Sequence, residues 1–464
     1  MARHDGVRLP RGVVARFSIG SIGTGGFATL PGLVLVYYLT DTLGVAALLA
    51  GLIVTLAKVW DILIDPVIGA LTDREHARTG GRSRLMVVGG IALPVFFLLT
   101  FAVPGGMPPA ASVVWVLIAF VGAATAFSLF QVPYMGLPAE LTSHYHERTR
   151  LLSWRVVVLS LAILLFGAGG PALRDLGGGD AHLGYLLMAL VAGLVLGAGF
   201  LVASTVARRR HLIVAVAPEP GATSSGGGIL AHYRGTLRIF RESRAFRILV
   251  IAFGLQALAT GTMLACAQYV ATYLLHDEDA VTYLFLAMIA PAVVLTPVWA
   301  WISRKVGKTR GFQIATVVFT IAALAQLGIV WAPGPWVYAA AALAGAAYSG
   351  LQALPMAMLP DVIAVDARGG RGRAGVFSGA WTAAETLAMT LGTTLLTVVL
   401  AASGYIETVA GEAAAQPESA VLGIALTFAV APAVLAALSL LAIRRYPITE
   451  ADVEAVAEPA GSSA

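Results

Sequence analysis

Residues 58–84 read KVWDILIDPVIGALTDREHARTGGRSR and join an apolar helix to a basic loop. The first half lies inside a long apolar run, yet it carries Lys58, Asp61 and Asp65. The second half turns basic, with Arg74, Arg78, Arg82 and Arg84. At about 100° per residue, Lys58, Asp61 and Asp65 fall within about 60° of one another on one helix face. An ionised side chain at a bilayer centre costs roughly 2.5–3.5 kcal/mol, so it faces a partner or a wet cavity. Three charges on one face mark a site, and the basic run after them marks the cytoplasmic end of the same helix.

The rest of the composition agrees with a bilayer. Of 464 residues, 58% are hydrophobic and only 12% charged, with a mean hydropathy of +0.84. Soluble domains carry about 25% charged residues. The net charge of +5 would suit a nucleic-acid partner, but the basic residues cluster at the ends of apolar segments, where cytoplasmic loops put them. Membrane lipid, and not nucleic acid, is the expected surroundings. The single cysteine, Cys266, lies in an apolar run and reads as a core-packing residue, so no disulfide framework or thiolate metal site is available. The apolar segment after the basic N-terminus is too long for a signal peptide and reads as an uncleaved first span.

About 20 apolar residues cross the hydrocarbon core. Twelve runs qualify: 15–39, 44–72, 84–104, 111–139, 152–171, 183–206, 246–275, 280–303, 311–332, 335–363, 374–402 and 420–443. The expected fold is therefore all-α, with twelve transmembrane helices in two six-helix halves. The first half covers 1–207 and the second 245–445. Between them lies a cytoplasmic linker, 208–244, that contains the Pro/Gly/Ser stretch PEPGATSSGGG. A polar tail, 446–464, is expected to be disordered. Both termini and alternate loops are basic, whereas the opposite loops hold only Arg174 among thirty Lys and Arg residues. That asymmetry puts both termini in the cytoplasm. LPAELTSHYHERTR (137–150) parallels LPDVIAVDARGGRGR (359–373), and GGRSR (80–84) parallels GKTRG (307–311). Parallel halves of this kind are typical of transporters that bind solute midway between them.

No enzyme signature is present: no Walker lysine loop, no H-E-x-x-H pair, no G-x-S-x-G elbow. His144 and His146 sit in a basic loop and read as solvated. No cofactor is expected. An ion gradient or the solute's own gradient, not ATP, supplies the energy.

KVWDILIDPVIGALTD followed by TGGRSR resembles the helix 2 and loop 2–3 signature of the glycoside-pentoside-hexuronide:cation symporters, the melibiose permease-like group of the major facilitator superfamily. YYLTD (37–41), VPYMGLPAELT (132–142), the Arg148/Arg155 region and MLPDV (358–362) extend the resemblance over nearly the whole chain. It implies a secondary active transporter in the cytoplasmic membrane of a bacterium, multi-pass and working as a monomer. Such a transporter moves a small, sugar-like or other organic solute in symport with Na⁺ or H⁺ by alternating access. It places the coupling cation at Asp61, Asp65 and Ser128, and solute contacts at Lys58 and Arg155. It also implies a cytoplasmic gate of inter-half ion pairs drawn from Asp73, Arg74, Arg82, Glu140, Arg148 and Asp361.

The chain departs from the family pattern at five places. Ile64 stands where a polar asparagine helps bind Na⁺, and Gly25 and Gln131 stand where acids grip the galactoside. Met135 lies near the stacking tryptophan, and Glu385 replaces a lysine. The galactoside site is thus not carried over, and an exporter or a transporter of lysolipid-like amphiphiles fits the same scaffold. A non-transporting membrane assembly factor would not need charges at mid-membrane. From the residues themselves, Asp61 and Asp65, four apart on a helix, can converge on one ion or share one proton. Glu385, deep in the eleventh span, is a cavity candidate by default. Gln131 and Gln268 are uncharged candidates to line a solute path, and Trp381 is a candidate stacking platform.

Overall fold

The computed structural model describes residues 8–79, 81–142, 145–207, 238–367, 374–409 and 415–448, with residue 452 besides. Among these are twelve helices long and apolar enough to cross a membrane. They are α1 (Arg11–Asp41), α2 (Ala47–Thr79), α3 (Ser83–Phe101), α4 (Pro109–Leu141), α5 (Tyr145–Asp175) and α6 (Ala181–Ala207). After the interval at 208–237 come α7 (Arg244–Tyr273), α8 (Ala280–Val306), α9 (Lys308–Ala325), α10 (Trp336–Ala367), α11 (Ala374–Ala402) and α12 (Glu418–Ile443). A 3₁₀ turn, Gln326–Val330, completes the ninth span. With no water in the hydrocarbon layer to bond free N–H and C=O groups, apolar runs of this length satisfy their backbone only as helices. Several helices outrun the apolar segment that announced them: α5 begins at Tyr145 and α2 continues to Thr79. The polar turns at their ends keep helical hydrogen bonding beyond the apolar layer.

The chain forms two compact units, Met1–Ser225 with Ile406–Ala415, and Gly226–Tyr405 with Gln416–Ala464. In the first, α1 packs on α5 and α6, α3 on α4 and α6, and α2 on α4. In the second, α7 packs on α11 and α12, α9 on α10 and α12, and α8 on α10. Each pairing of the first unit recurs six helices later, so the weak repeat in the sequence corresponds to one packing scheme used twice.

Close approach of helices rests on small residues. A Cβ on Gly261 of α7 would lie 2.5 Å from the Met389 carbonyl oxygen of α11, and one on Gly392 of α11 would lie 2.5 Å from the Thr262 nitrogen of α7. In the first unit, a Cβ on Gly25 would stand 3.0 Å from both Ala162 Cβ and the Leu159 carbonyl of α5. Gly25 is therefore a helix contact, which gives a packing reason why the family's acid is missing there. Aromatic rings fill the remaining space. Phe130 stacks on Phe200 and Tyr134, Tyr134 on Phe17, and Tyr38 packs against Phe101 and Tyr185.

The segment between α11 and α12 belongs to the first unit, which the sequence did not announce. The Thr408 N–H donates to the Thr40 carbonyl at 3.0 Å, and Leu43 and Val409 form an antiparallel bridge. Glu407 accepts from the N–H of Ala47, the first residue of α2, at 2.9 Å. Helix N-termini leave unpaired donors, and a carboxylate there caps them.

Candidate functional site

In the first unit the charged face of α2 turns toward polar groups of α4. Lys58 Nζ lies 3.1 Å from Asp61 Oδ2. Asp61 is 8% exposed, and its other oxygen, Oδ1, is buried with no hydrogen-bond partner among the described residues. Asp65 lies open at the surface one turn on. Its carboxylate lies near the buried Ser128 hydroxyl of α4 and interacts electrostatically with Asp61 and Lys58. Ile64, between the two acids, is half-buried. A buried polar atom left unpaired costs about 1–3 kcal/mol, more for a charged group. The orphaned Oδ1, the Asp65 carboxylate and the Ser128 hydroxyl make an all-oxygen donor set, which suits a hard cation or a proton. The Lys58 ammonium is paired with Asp61 and its side chain stays 26% exposed.

Next to this group, Thr24 of α1 donates to Gln131 Oε1 at 2.9 Å, so Gln131 has a partner within the unit and keeps its amide nitrogen as a donor. Lys58 Nζ lies 5.8 Å from the centre of the Phe27 ring. On α5 the Arg155 guanidinium lies 5.7 Å from the centre of the Tyr134 ring. Its Nε is buried and has no hydrogen-bond partner among the described residues. Tyr134 donates to the Phe17 carbonyl at 2.7 Å and lies 3.0 Å from Ser21 Oγ. Tyr134 escaped the sequence reading because a tyrosine in an apolar span looks like packing; only its place in VPYMG marked it. Met135 is 52% exposed.

In the second unit Glu385 of α11 is half-buried and lies close enough to Tyr348 of α10 to interact electrostatically. Gln352 Nε2 donates to the Tyr348 hydroxyl at 2.7 Å. Trp381 is 3% exposed and stacks on Phe253 at 4.2 Å, with its indole nitrogen buried and without a hydrogen-bond partner among the described residues. Gln268 is fully buried and donates to Thr272 at 3.4 Å. Neither offers surface to a solute in this arrangement. Gln256, which the sequence reading passed over, joins three helices of the unit. Its amide nitrogen lies 3.0 Å from both Thr316 Oγ1 of α9 and Ser439 Oγ of α12.

Of the residues expected at a cytoplasmic gate, the side chains of Asp73, Glu140 and Arg148 lie outside the described residues. Arg74 is exposed and Arg82 half-buried. Asp361 pairs with Lys308 at 2.6 Å inside its own unit, and Lys308 also donates to the Ala357 carbonyl. Burial first and the nearby Asp361 second push the Tyr446 phenol up from its ordinary pKa. Glu75 and Glu147 were not anticipated. Glu75 accepts from the N–H groups of Arg84 and Leu85, capping α3. Glu147 accepts from Arg150 and from the Leu9 N–H.

The family model for MFS/sugar transport proteins matches residues 16–450. An uncharacterized symporter of Synechocystis is 27% identical, over 94% of each chain. The sodium-dependent lysophosphatidylcholine symporter 1 of Mus musculus is 23% identical, over 72% of this chain and 66% of its own. Among solved structures, a bacterial homologue of the lysosomal transporter Spinster superposes with a TM-score of 0.63 over 94% of this chain, at 15% identity, a likeness of fold. The chain belongs to the MFS/sugar transport family of the major facilitator superfamily and is a twelve-helix membrane transporter, not an enzyme.

Proposed function

We propose that Asp61, Asp65 and Ser128 hold the coupling cation of a symporter, Na⁺ or H⁺, and that the solute is a small sugar-like or other organic molecule. The observation that carries this reading is the buried Oδ1 of Asp61, unpaired among the described residues and one turn from the carboxylate of Asp65. When bound, the ion neutralises two carboxylates that otherwise repel each other. Lys58 holds the Oδ2 side of Asp61 and limits the charge left behind when the ion is absent. Lys58, Gln131, Arg155 and Glu385 line the solute path; Gln268 and Trp381, expected there too, are buried in this arrangement. Asp73, Arg74, Arg82, Glu140, Arg148 and Asp361 serve the cytoplasmic gate.

The chain acts as a monomer in a bacterial inner membrane, with both termini cytoplasmic. Its halves are 1–207 and 245–445, with 208–244 as linker and 446–464 as tail. Asp65→Asn tests the reading. The variant inserts and folds as the parent does, but loses Na⁺- or pH-gradient-dependent accumulation in vesicles. Unchanged concentrative uptake refutes it. A second reading, transport of a lysolipid-like amphiphile, draws support from the named mouse relative and from Gly25 and Gln131 at the galactoside positions. Competition of uptake by short-chain lysolipids but not by sugars would select it.

A further inference from the structure

Arg155 is the charge that the first unit leaves unanswered. It lies on α5 within the apolar span Arg150–Asp175, where a charged group normally has a partner. Among the described residues no carboxylate pairs with it. Asp61 is held by Lys58, Glu147 by Arg150, and Asp175 by Arg174. The guanidinium lies over the Tyr134 ring at 5.7 Å, a contact that favours the charge without cancelling it. Its Nε is buried and has no hydrogen-bond partner among the described residues. A guanidinium has five N–H donors and no acceptor, so the partner it lacks is an oxygen.

A ladder of contacts between α1 and α4 joins Arg155 to the charged face of α2. Ser21 Oγ lies 3.0 Å from the Tyr134 hydroxyl, and Thr24 donates to Gln131 Oε1 at 2.9 Å. Phe27 stacks on Phe127 at 4.7 Å, and its ring centre lies 5.8 Å from Lys58 Nζ. The α1 positions rise as the α4 positions fall, as in any antiparallel pair. From Phe127 to Tyr134 α4 advances about 10 Å. Gln131 stands between them, its oxygen used by Thr24 and its amide nitrogen left to donate. One end of the ladder therefore holds Lys58 with its two aspartates, and the other offers the donors of Arg155 and Gln131.

Lys58, Asp61 and Asp65 together carry one net negative charge. With no cation bound, Arg155 balances it; with a monovalent cation bound, the charge of Arg155 is left over. A single negative charge on the solute restores the balance. We infer that Arg155, with the Gln131 amide, forms a subsite for a singly charged oxyanion on the solute, a carboxylate or a phosphodiester. This inference rests on the transporter reading and its ion site, and adds to it the charge of the solute. A bound cation strengthens the subsite, because opposite charges about 10 Å apart at an effective dielectric of about 20 change binding by about tenfold. Glu385 belongs to the second unit and forms no part of this set.

The test uses the purified full chain and two matched pairs of probes: glucuronate against glucose, and short-chain lysophosphatidylglycerol against the corresponding monoacylglycerol. One of the two anions raises the melting temperature in a concentration-dependent way, as any ligand of the folded state does, and its neutral match does not. The pair that responds distinguishes a sugar acid from an anionic amphiphile. Arg155→Gln weakens the anion response by about tenfold or more, as loss of a charge-assisted hydrogen bond predicts. Arg155→Lys keeps a point charge without the planar fork and retains part of the response. Equal stabilisation by a neutral match, an anion response that survives in Arg155→Gln, or no response to either anion overturns the inference. Stabilisation by Na⁺ or by pH change without any probe, measured in parallel and lost in Asp65→Asn, reads the ion site separately. Where it occurs, an anion response indifferent to the cation also overturns the inference. If it persists while both anions fail, the subsite is refuted and the ion site stands; if it is absent while an anion binds through Arg155, the reverse holds.

Discussion

α2 and α8 hold the same place in their units, one packed on α4 and the other on α10. Their chemistry differs entirely. α2 carries Lys58, Asp61 and Asp65 through its middle, whereas α8 has no charged residue until Arg304 and Lys305 in its last turn. The fifth helices, α5 and α11, also correspond, yet α5 bears Arg155 where α11 bears Glu385, each about ten residues in. The packing scheme is held by glycines and aromatic rings and does not require these charges. Charge is concentrated in one copy, where α2 carries three charged side chains along one face and α5 adds Arg155, while the helices of the other copy carry Glu385 at the corresponding depth.

The sharpest way to break this contrast is to neutralise α2. Asp61→Asn strands Lys58, and removing one partner of a fully buried pair costs roughly 3–5 kcal/mol. Lys58 retains about a quarter of its side-chain exposure, so a loss on the order of 2 kcal/mol is expected, read as a lower melting temperature. The double change Lys58→Met with Asp61→Asn recovers most of that stability but none of the ion dependence. A double variant that still accumulates solute against a gradient would show that the α2 charges are architectural.

Next in size are the helix contacts, where the two units should behave alike but unequally. A methyl group on Gly261 meets backbone of α11 at 2.5 Å, and one on Gly25 meets α5 at 3.0 Å. Gly261→Ala is expected to cost about 1–3 kcal/mol, the range for overpacking, and Gly25→Ala less than about 1 kcal/mol. Comparable melting-temperature losses would mean that α7 and α11 are free to part.

How much of this the sequence announced depends on the kind of residue. Twelve spans were legible because a bilayer imposes length and hydropathy on every one. Asp61, Asp65 and Glu385 were legible because charge at mid-membrane has few innocent uses. The partners were not. Ser128 emerged only through the family resemblance, and Tyr134, Tyr348 and Gln256 are ordinary residues until the helices meet. The docking of Glu407 on α2 joins residues 360 positions apart, a distance that no local pattern encodes.

Two smaller effects sharpen the comparison. Ile64→Asn places an amide oxygen on the Asp61 side of the charged face and is expected to tighten Na⁺ binding by up to about tenfold, the worth of one added polar contact. The measurement is the Na⁺ concentration that half-saturates the thermal shift, and no change would mean that position 64 faces away from the ion. Gln256→Leu in the second unit should cost only about 0.6 kcal/mol, as for typical interhelical hydrogen bonds in membranes. The hydroxyls it releases already bond their own helices, Thr316 to Phe312 and Ser439 to Ala436. A loss several times larger would make Gln256 a functional residue and not a strut.

The docking of residues 406–409 on the turn before α2 has a consequence for how the molecule can be divided. A chain cut within 208–237 does not yield two self-sufficient pieces, because the N-terminal fragment lacks the carboxylate that caps α2 and the strand residue opposite Leu43. Expressed alone, it should be more protease-sensitive around residues 40–47 than the same residues in the intact chain. Adding the second fragment in trans, or fusing a short peptide spanning 405–415, should restore protection. The protein is thus assembled by an exchange of chain, and its first half is finished only after the eleventh helix has been made.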